Sequence, residues 1–255
     1  MIVAATAIFY LAGSFWPLRA VVEKTLRRIA RNLSVAGISL VATSLLQPLI
    51  LFPVVAWIAR DQIGLLQIVE WPRWIELVAG VLLLDYALWW WHRATHRIPF
   101  LWRFHLVHHI DLDLDTSTAL RFHFGELALS VPVRAATVIV IGVDPQTLWL
   151  WQTILFASIL FHHSNLRLPL GVERILVRFI VTPRMHGIHH SIRREETDSN
   201  WSSLFTVWDF LHRTFRFDVP DEKIVIGVPA YQDSSAVTIG RMLTLPFRRQ
   251  RDDWS

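Results

Sequence analysis

The chain has 255 residues, of which 53% are hydrophobic and 13 are tryptophan, and its formal net charge is +4. This composition excludes an ordinary soluble enzyme and favours an integral membrane protein, because so many apolar residues cannot share one soluble core. Cysteine is absent, which excludes disulfides, thiolate-held zinc, iron–sulfur clusters and haem-thiolate centres. Any bound metal is therefore held by nitrogen and oxygen. The basic charge fits membrane orientation and anionic lipid better than nucleic acid.

Three apolar runs in the first 91 residues predict transmembrane helices. Residues 2–16 are apolar and uncharged, residues 33–59 carry no charge, and residues 74–91 form a third run. The second run is long enough to span a bilayer. It contains Pro48 and Pro53, which should kink it or divide it into two pieces.

The loop between the first two runs sets the expected orientation. Residues 19–31 carry five arginine or lysine residues against Glu23 alone. By the positive-inside rule this loop is cytoplasmic, the N-terminus lies outside, and the third run ends on the cytoplasmic side. The tryptophans at 89–91 fit the aromatic belt of the membrane surface, so His92 should emerge at that level.

Two further apolar runs predict a helical hairpin. Residues 127–143 and 147–161 are joined by Asp-Pro-Gln, and Asp and Pro favour a tight turn. Arg134 interrupts the first arm. The expected fold class is an all-α integral membrane protein with about three transmembrane helices, this hairpin, and a cytoplasmic histidine-rich helical cap.

We expect a single membrane-embedded domain over residues 1–255. Its N-terminal transmembrane helices occupy residues 1–77, a histidine-rich catalytic region occupies residues 78–217, and a cytoplasmic tail occupies residues 218–255. The tail contains one short strand-like run at residues 223–228.

Twelve histidines are present, and residues 1–91 contain none of them. They cluster instead in HRATH at 92–96, HLVHH at 105–109 and MHGIHH at 185–190. Helix positions i, i+3 and i+4 share a face, so each cluster can aim several imidazoles at one point. One histidine at a helix end is usually a solvated residue. Three clusters at the ends of apolar segments favour a site with two metal ions, since they exceed what one ion can use.

Several polar residues near the histidine clusters are candidates for supporting the metal site. Asp85 lies in an apolar span and needs a partner. It precedes His92 by about two helical turns, and we favour a hydrogen-bonding role for it over direct metal binding. Arg121, His123 and Glu126 directly precede the next apolar segment and are well placed to join the site.

Three alternating acids, Asp111, Asp113 and Asp115, begin like a calcium-binding loop. The glycine needed at the sixth position is Thr116, and the glutamate needed at the twelfth is Phe122, so the calcium interpretation fails. We expect these acids to be solvated loop residues.

Five motifs together resemble a known family. HRATH at 92–96, HLVHH at 105–109, TALRFHFGE at 118–126, FHHSN at 161–165 and TPRMHGIHHS at 182–191 resemble the sterol desaturase/fatty acid hydroxylase superfamily in its bacterial-type form, over roughly residues 78–217. The resemblance implies a helical membrane fold, a non-haem di-iron centre and O2-dependent hydroxylation or desaturation of a lipid.

The resemblance also implies site residues. The implied metal ligands are His92, His96, His105, His108, His109, His123, His163, His186, His189 and His190. With Asp85, the residues expected to support these ligands are Glu126, Asn165, Asn200 and Asp209. The match departs at Phe124, where the family's RxHPxE box has proline, and at Asn200-Trp201-Ser202, where it has NYG. His162 and His212 fall where the family varies or has an aromatic residue, and receive no metal role.

The predicted function is hydroxylation of a C–H bond in a membrane lipid, using O2, two iron ions and electrons from a separate donor protein, in a bacterial inner membrane with the histidines facing the cytoplasm. Zinc could replace iron in purified protein. Desaturation by the same oxidant is not separated from hydroxylation by sequence. A metal-binding or transport protein is the alternative of another class, but transporters place such ligands in mid-membrane. A metalloprotease would need HExxH, which is absent.

Overall fold

The structure is a computed structural model that describes residues 2–234 and 237–251. Within that part of the chain, pairing between extended segments is limited to three isolated bridges, and the architecture is helical. The α-helices are α1 Ile2–Phe15, α2 Thr25–Leu46, α3 Phe52–Asp61, α4 Arg73–Arg97, α5 Pro99–His109, α6 Phe124–Ile141, α7 Pro145–His163, α8 Leu170–Leu176, α9 Pro183–His189, α10 Arg194–Thr197, α11 Val207–Leu211 and α12 Ile239–Thr244.

Three helical segments are long and apolar enough to cross a membrane: Thr25–Gln67, Arg73–Arg97 and Phe124–Ile141. The predicted fold class, a helical integral membrane protein with a histidine-rich region, is thereby confirmed. α1 is apolar but has only 14 residues. The cytoplasmic position of the histidines stays a prediction.

The two prolines of the second span perturb it as predicted without ending it. Between α2 and α3 the chain forms one wide π-helical turn, Gln47–Leu51, in which the Phe52 N–H donates to the Gln47 carbonyl. The cause is Pro48 together with Pro53, which cannot supply the amide hydrogens that a regular helix needs.

α6 and α7 form the predicted hairpin. Gly142 ends α6 in the left-handed conformation, with φ at 78°, which a glycine adopts without steric cost. The Asp144 carboxylate then accepts hydrogen bonds from the N–H groups of Gln146 and Thr147 and so caps α7. The two arms pack with α3 and α4 around an apolar core that includes Leu84 and Val138.

The basic segment before the second span differs from its prediction. The sequence predicted a loop over residues 19–31, but helix α2 begins at Thr25, so Arg28 and Arg31 are helical, and both are buried. Arg28 pairs with the three acids of the 111–115 loop, which are also buried, and Arg31 pairs with Asp111 and with Glu23. The expectation that those acids are solvated was wrong.

These groups form a buried ion cluster, defined by Arg28, Arg31, Arg121, Asp111, Asp113 and Asp115. Arg28 contacts all three aspartates, with Nη1 3.4 Å from Asp111 and Nε 3.6 Å from Asp113. Burial alone would raise the pKa of Asp111, but Arg121 and Arg28 outweigh it and hold that pKa below its usual value. Asp111 therefore stays ionised, and the ion pairs of the cluster fasten α2 to the loop that follows α5.

Trp89 also departs from its predicted role at the membrane surface. Its side chain is buried, its ring stacks on His212 with centroids 4.1 Å apart, and its Nε1–H donates to Asp209 at 3.0 Å. Trp90 alone of the triplet is well exposed. Trp89 thus joins α4 to α11 and does not serve only as an anchor.

The strand expected at residues 223–228 does not form a sheet. Ile226 makes one isolated bridge with Ser191. The Gly227 N–H donates to the His190 carbonyl at 2.9 Å, and the Ile192 N–H donates to the Val225 carbonyl at 2.9 Å. The alternating pattern therefore reports an extended segment that lies beside the end of α9.

Candidate metal centre

The first histidine group consists of His92, His96, His105, His109 and His189. α4 supplies two of these side chains, α5 supplies two and α9 supplies one. Each residue offers one ring nitrogen, and these nitrogens all lie within 4.8 Å of one another. Spacings of four residues on α4 and on α5 place each pair on one helix face, which is why both pairs reach the same point.

The second histidine group consists of His108, His163, His186 and His190. Its Nε2 atoms form a series in which His108 and His163 are 3.1 Å apart, His163 and His186 are 3.0 Å apart, and His186 and His190 are 3.0 Å apart. An ion with bonds to nitrogen of about 2.1 Å places ligands at right angles about 3.0 Å apart. The spacing of these four nitrogens therefore fits metal ligation.

The outward ring nitrogens fix the direction of several imidazoles. The Nδ1 atoms of His92 and His189 donate to the carbonyls of Trp201 and Ser199, at 2.7 and 2.8 Å. His105 Nδ1 donates to the Glu126 carboxylate at 2.8 Å. Since these oxygens accept the Nδ1 proton, each Nε2 keeps its lone pair for a metal.

The inward nitrogens of the first group are buried and have no partner within the described residues. They are Nε2 of His96, His105 and His189, and both nitrogens of His109. Buried polar atoms are nearly always satisfied in a native structure. The unsatisfied set at one point therefore fits an ion that these histidines hold when it is bound.

Burial also keeps the imidazoles uncharged. It is the largest cause that lowers the pKa of His189 to about 3, and it lowers the pKa of His186 and His190 well below the usual value. The neighbouring histidines act in the same direction. A neutral imidazole is the form that binds metal, so these ligands need no deprotonation near neutral pH.

His123 lies outside both histidine groups, contrary to the implied ligand set. Its Nδ1 accepts the Gly125 N–H at 2.9 Å and caps α6, while its Nε2 donates to the Leu243 carbonyl at 3.2 Å. Both ring nitrogens are therefore occupied. Phe124 follows at the position where the family has proline, and its ring packs on His123 with centroids 4.2 Å apart.

The acids expected to support the ligands differ in what they contact: Glu126 and Asp209 act on a group histidine directly or through one residue, whereas Asp85 binds the segment around residues 205–208. Glu126 touches a group histidine, as described above. Asp209 acts on a histidine through Trp201. Its carboxylate accepts the Trp201 N–H at 3.0 Å, and the Trp201 carbonyl accepts a hydrogen bond from His92. Asp85 accepts from Phe205 N–H and Trp208 Nε1–H, at 3.1 and 2.8 Å.

The two asparagines bind backbone rather than histidine. Asn165 exchanges hydrogen bonds with the backbone of Arg19 at 2.9 and 2.8 Å. Asn200 donates to the carbonyls of Met185 and Arg216, at 3.0 and 2.8 Å. Asn165 thus holds the segment after α1, Asn200 holds α9 to residue 216, and the hydrogen bonds given for either side chain do not include a histidine ring nitrogen.

Sequence reasoning missed the backbone contribution to the site. The carbonyls of Ser199, Trp201 and Arg121 each accept from a group histidine. Every residue has a backbone carbonyl, so the residue type does not indicate which carbonyls bind a histidine. Only Arg121 gave a signal, because an arginine beside apolar residues needs a partner; its guanidinium donates to the His108 carbonyl at 3.0 Å.

One cavity of about 190 Å³ connects the histidines with the membrane-spanning helices. His92 and His105 of the first group line it, and so do His108, His163 and His186 of the second. The remaining walls come mainly from apolar residues of α4, α6 and α7. One largely apolar space is therefore in contact with both histidine groups.

Two all-histidine groups at the ends of membrane helices, sharing one apolar cavity, define a membrane protein with a candidate dinuclear metal centre. Residues 77–214 match the sequence model of the fatty acid hydroxylase family. The chain belongs to this family.

Several curated proteins are similar to the chain. The ornithine lipid hydroxylase of Rhizobium tropici is 29% identical over 160 residues, which cover 62% of this chain and 47% of that protein. The alkylglycerol monooxygenase of Homo sapiens is 28% identical over 165 residues, covering 61% and 33%. The cholesterol 25-hydroxylase of Mus musculus is 28% identical over 154 residues, covering 58% and 50%. The chain thus spans a third to a half of the length of these relatives, and no solved structure matches it.

The Glu126 carboxylate gives a direct test of ligand support. We expect Glu126→Gln to lower metal affinity by about 10- to 100-fold, because loss of the charged acceptor lets the His105 ring turn and weakens its basicity. Competition against a chelator of known affinity measures this change. Ser130→Ala, on the same face of α6 and also at the cavity, is the matched control and should leave affinity unchanged. Equal affinity in wild type and Glu126→Gln would contradict the role.

Proposed function

We propose that this protein is a membrane lipid hydroxylase with two iron ions, one in each histidine group. The observation that supports it most is that two converging sets of imidazoles line the same apolar cavity. The names of the relatives, which are hydroxylases and a monooxygenase, support oxygen insertion over desaturation. The proposed ligands are the nine histidines of the two groups, without His123.

Each part of the chain has a role in this proposal. Bound iron would supply the activation of O2 needed to attack an unactivated C–H bond. The cavity walls on α4, α6 and α7 hold the lipid chain and exclude water. Glu126 and the carbonyl of Trp201 keep imidazoles aligned. The overall reaction inserts one oxygen atom into the C–H bond and reduces the other to water, with two electrons and two protons.

The proposal includes a separate electron-donor protein and a place in a bacterial inner membrane with the histidines on the cytoplasmic side. The basic residues of segment 19–31, which precede the uncharged part of the second span, support this orientation. The region from residue 78 to 217 is the proposed catalytic unit, within one membrane domain.

Metal content and product mass together test the function. Detergent-purified protein is expected to contain about two irons per chain. Incubation with membrane lipid, a chemical or enzymatic reductant and ¹⁸O2 should give a lipid product with one added labelled oxygen. A product that has lost two hydrogens and gained no oxygen would establish desaturation instead. Iron-loaded, reduced protein that leaves every lipid of its own membrane unchanged would overturn the proposal.

A further inference from the structure

Arg134 lines the cavity that reaches the histidines, and its side chain is partly buried. The cavity has only one other charged side chain among the described residues, Glu126, whose carboxylate already accepts from His105. Within residues 2–234 and 237–251, no hydrogen bond or ion pair involves the Arg134 guanidinium. It is the one charged group of the cavity wall that is left without a protein partner in this part of the chain.

The position of Arg134 makes this unusual. It is the eleventh residue of α6, which runs from Phe124 to Ile141 and is long and apolar enough to span a membrane. The side chain therefore starts roughly 15 Å from the beginning of the helix at 1.5 Å per residue. An arginine at such depth is costly unless it faces a cavity and binds a partner.

Arg134 belongs to a polar stripe on an otherwise apolar helix. Ser130 and Thr137 line the same cavity, four residues before it and three residues after it, so the three side chains share one face. Their hydroxyls donate to the backbone carbonyls of Leu127 and Val133, so the guanidinium is the one group of this stripe whose hydrogen-bond donors have no partner in the described residues. The guanidinium alone provides several hydrogen-bond donors, and its fork matches a planar or tetrahedral oxyanion.

We propose that Arg134 binds an anionic oxyacid group, a carboxylate or a phosphate, of the lipid that occupies the cavity. The inference rests on the proposed function, because it assigns a charge to the substrate of that site. It also limits where oxidation occurs. Arg134 lies eight residues, or roughly 12 Å along the helix, from Glu126 at the histidine end. An extended chain advances roughly 1.2 Å per bond, so a chain that spans this distance in extended form has its oxidised carbon about ten bonds from the anionic group.

Binding to metal-free protein tests the proposal without requiring turnover. Three chain-brominated probes are compared in detergent: hexadecanoate, hexadecyl phosphate and hexadecanol. Trp91 and Trp151 line the cavity, so a bound brominated chain quenches tryptophan fluorescence. Wild type should bind at least one anionic probe about 10- to 100-fold more tightly than the alcohol, as expected for a charge-assisted hydrogen bond. The tighter of the two anions identifies the head group as carboxylate or phosphate.

The variants locate the effect. Arg134→Met should bring the anionic probe to the affinity of hexadecanol while leaving hexadecanol binding unchanged, which also shows that the cavity has kept its shape. Arg134→Lys should retain most of the preference. Arg60→Gln removes an exposed arginine at the far end of α3 and should change nothing. Equal binding of all three probes by wild type, or a preference that survives in Arg134→Met, would overturn the proposal. The iron and product experiments can fail while wild type still prefers an anionic probe. That result would support the anion-binding site at Arg134 and overturn only the proposed lipid hydroxylation.

Discussion

Replacing His108 or His189 with alanine is expected to abolish lipid oxidation and to remove metal. The two residues belong to different histidine groups, so each substitution opens one proposed site. Loss of one imidazole from a buried ligand set weakens metal binding, because water replaces the lost ligand poorly. The proposed reaction needs both ions, so loss of either one stops it. Elemental analysis of purified protein should fall from about two irons per chain to about one or fewer, and product formation should fall below detection.

His123 provides the matched control for these substitutions. It is the family-implied ligand that the structure uses as the cap of α6, and asparagine is also a good capping residue. His123→Asn should therefore keep the metal content and most of the activity of the wild type. Full activity in both His108→Ala and His189→Ala would contradict the two-site proposal, and loss of iron in His123→Asn would return that residue to the ligand set.

Asp111→Ala is expected to cause the largest loss of stability. The Asp111 carboxylate is fully buried and contacts Arg28, Arg31 and Arg121. Removing it leaves three buried cations with too few partners, which costs about 3–5 kcal/mol. For a chain of this size that corresponds to a fall in melting temperature of about 6–20 °C, measured by thermal unfolding in detergent.

Asp61→Asn controls for the loss of an acid as such. Asp61 pairs with Arg60 at the exposed end of α3, and exposed pairs contribute little, so no shift is expected. If Asp111→Ala has the same melting temperature as the wild type, the buried ion cluster does not stabilise the packing of α2. Because Arg121 donates to the His108 carbonyl, a destabilised Asp111→Ala should also bind metal less tightly.

Local spacing predicted the helices and much of the histidine arrangement. Four-residue intervals on α4 and α5 place His92 with His96 and His105 with His109, because such positions share a helix face. Adjacent residues point in different directions, which is why His108 joins the other group. That His163 belongs with His186 and His190 follows only from the packing of α7 against α9, and no interval in the sequence encodes it.

The errors came from partners far away in the chain. Asp111 and Arg28 are 83 positions apart, and Trp89 and Asp209 are 120 positions apart. An acid next to a turn is usually solvated, and a tryptophan at a span end is usually an anchor, so tertiary pairing overrode both local expectations. A usable signal was present in α2: Arg28, Arg31 and Asn32 lie on one face of the helix, and a polar face next to an apolar span requires buried partners.

The two histidine groups draw unequally on early and late parts of the chain. Four of the five residues of the first group lie within residues 92–109, whereas His108 is the only residue of the second group that precedes His163. A chain synthesised from its N-terminus therefore assembles most of one ligand set while α7 and α9 have yet to be made. His189 in α9 then completes the first set, and His186 in α9 completes the second together with His190, which directly follows the helix. Both ligand sets are therefore complete only when the chain has been synthesised through His190.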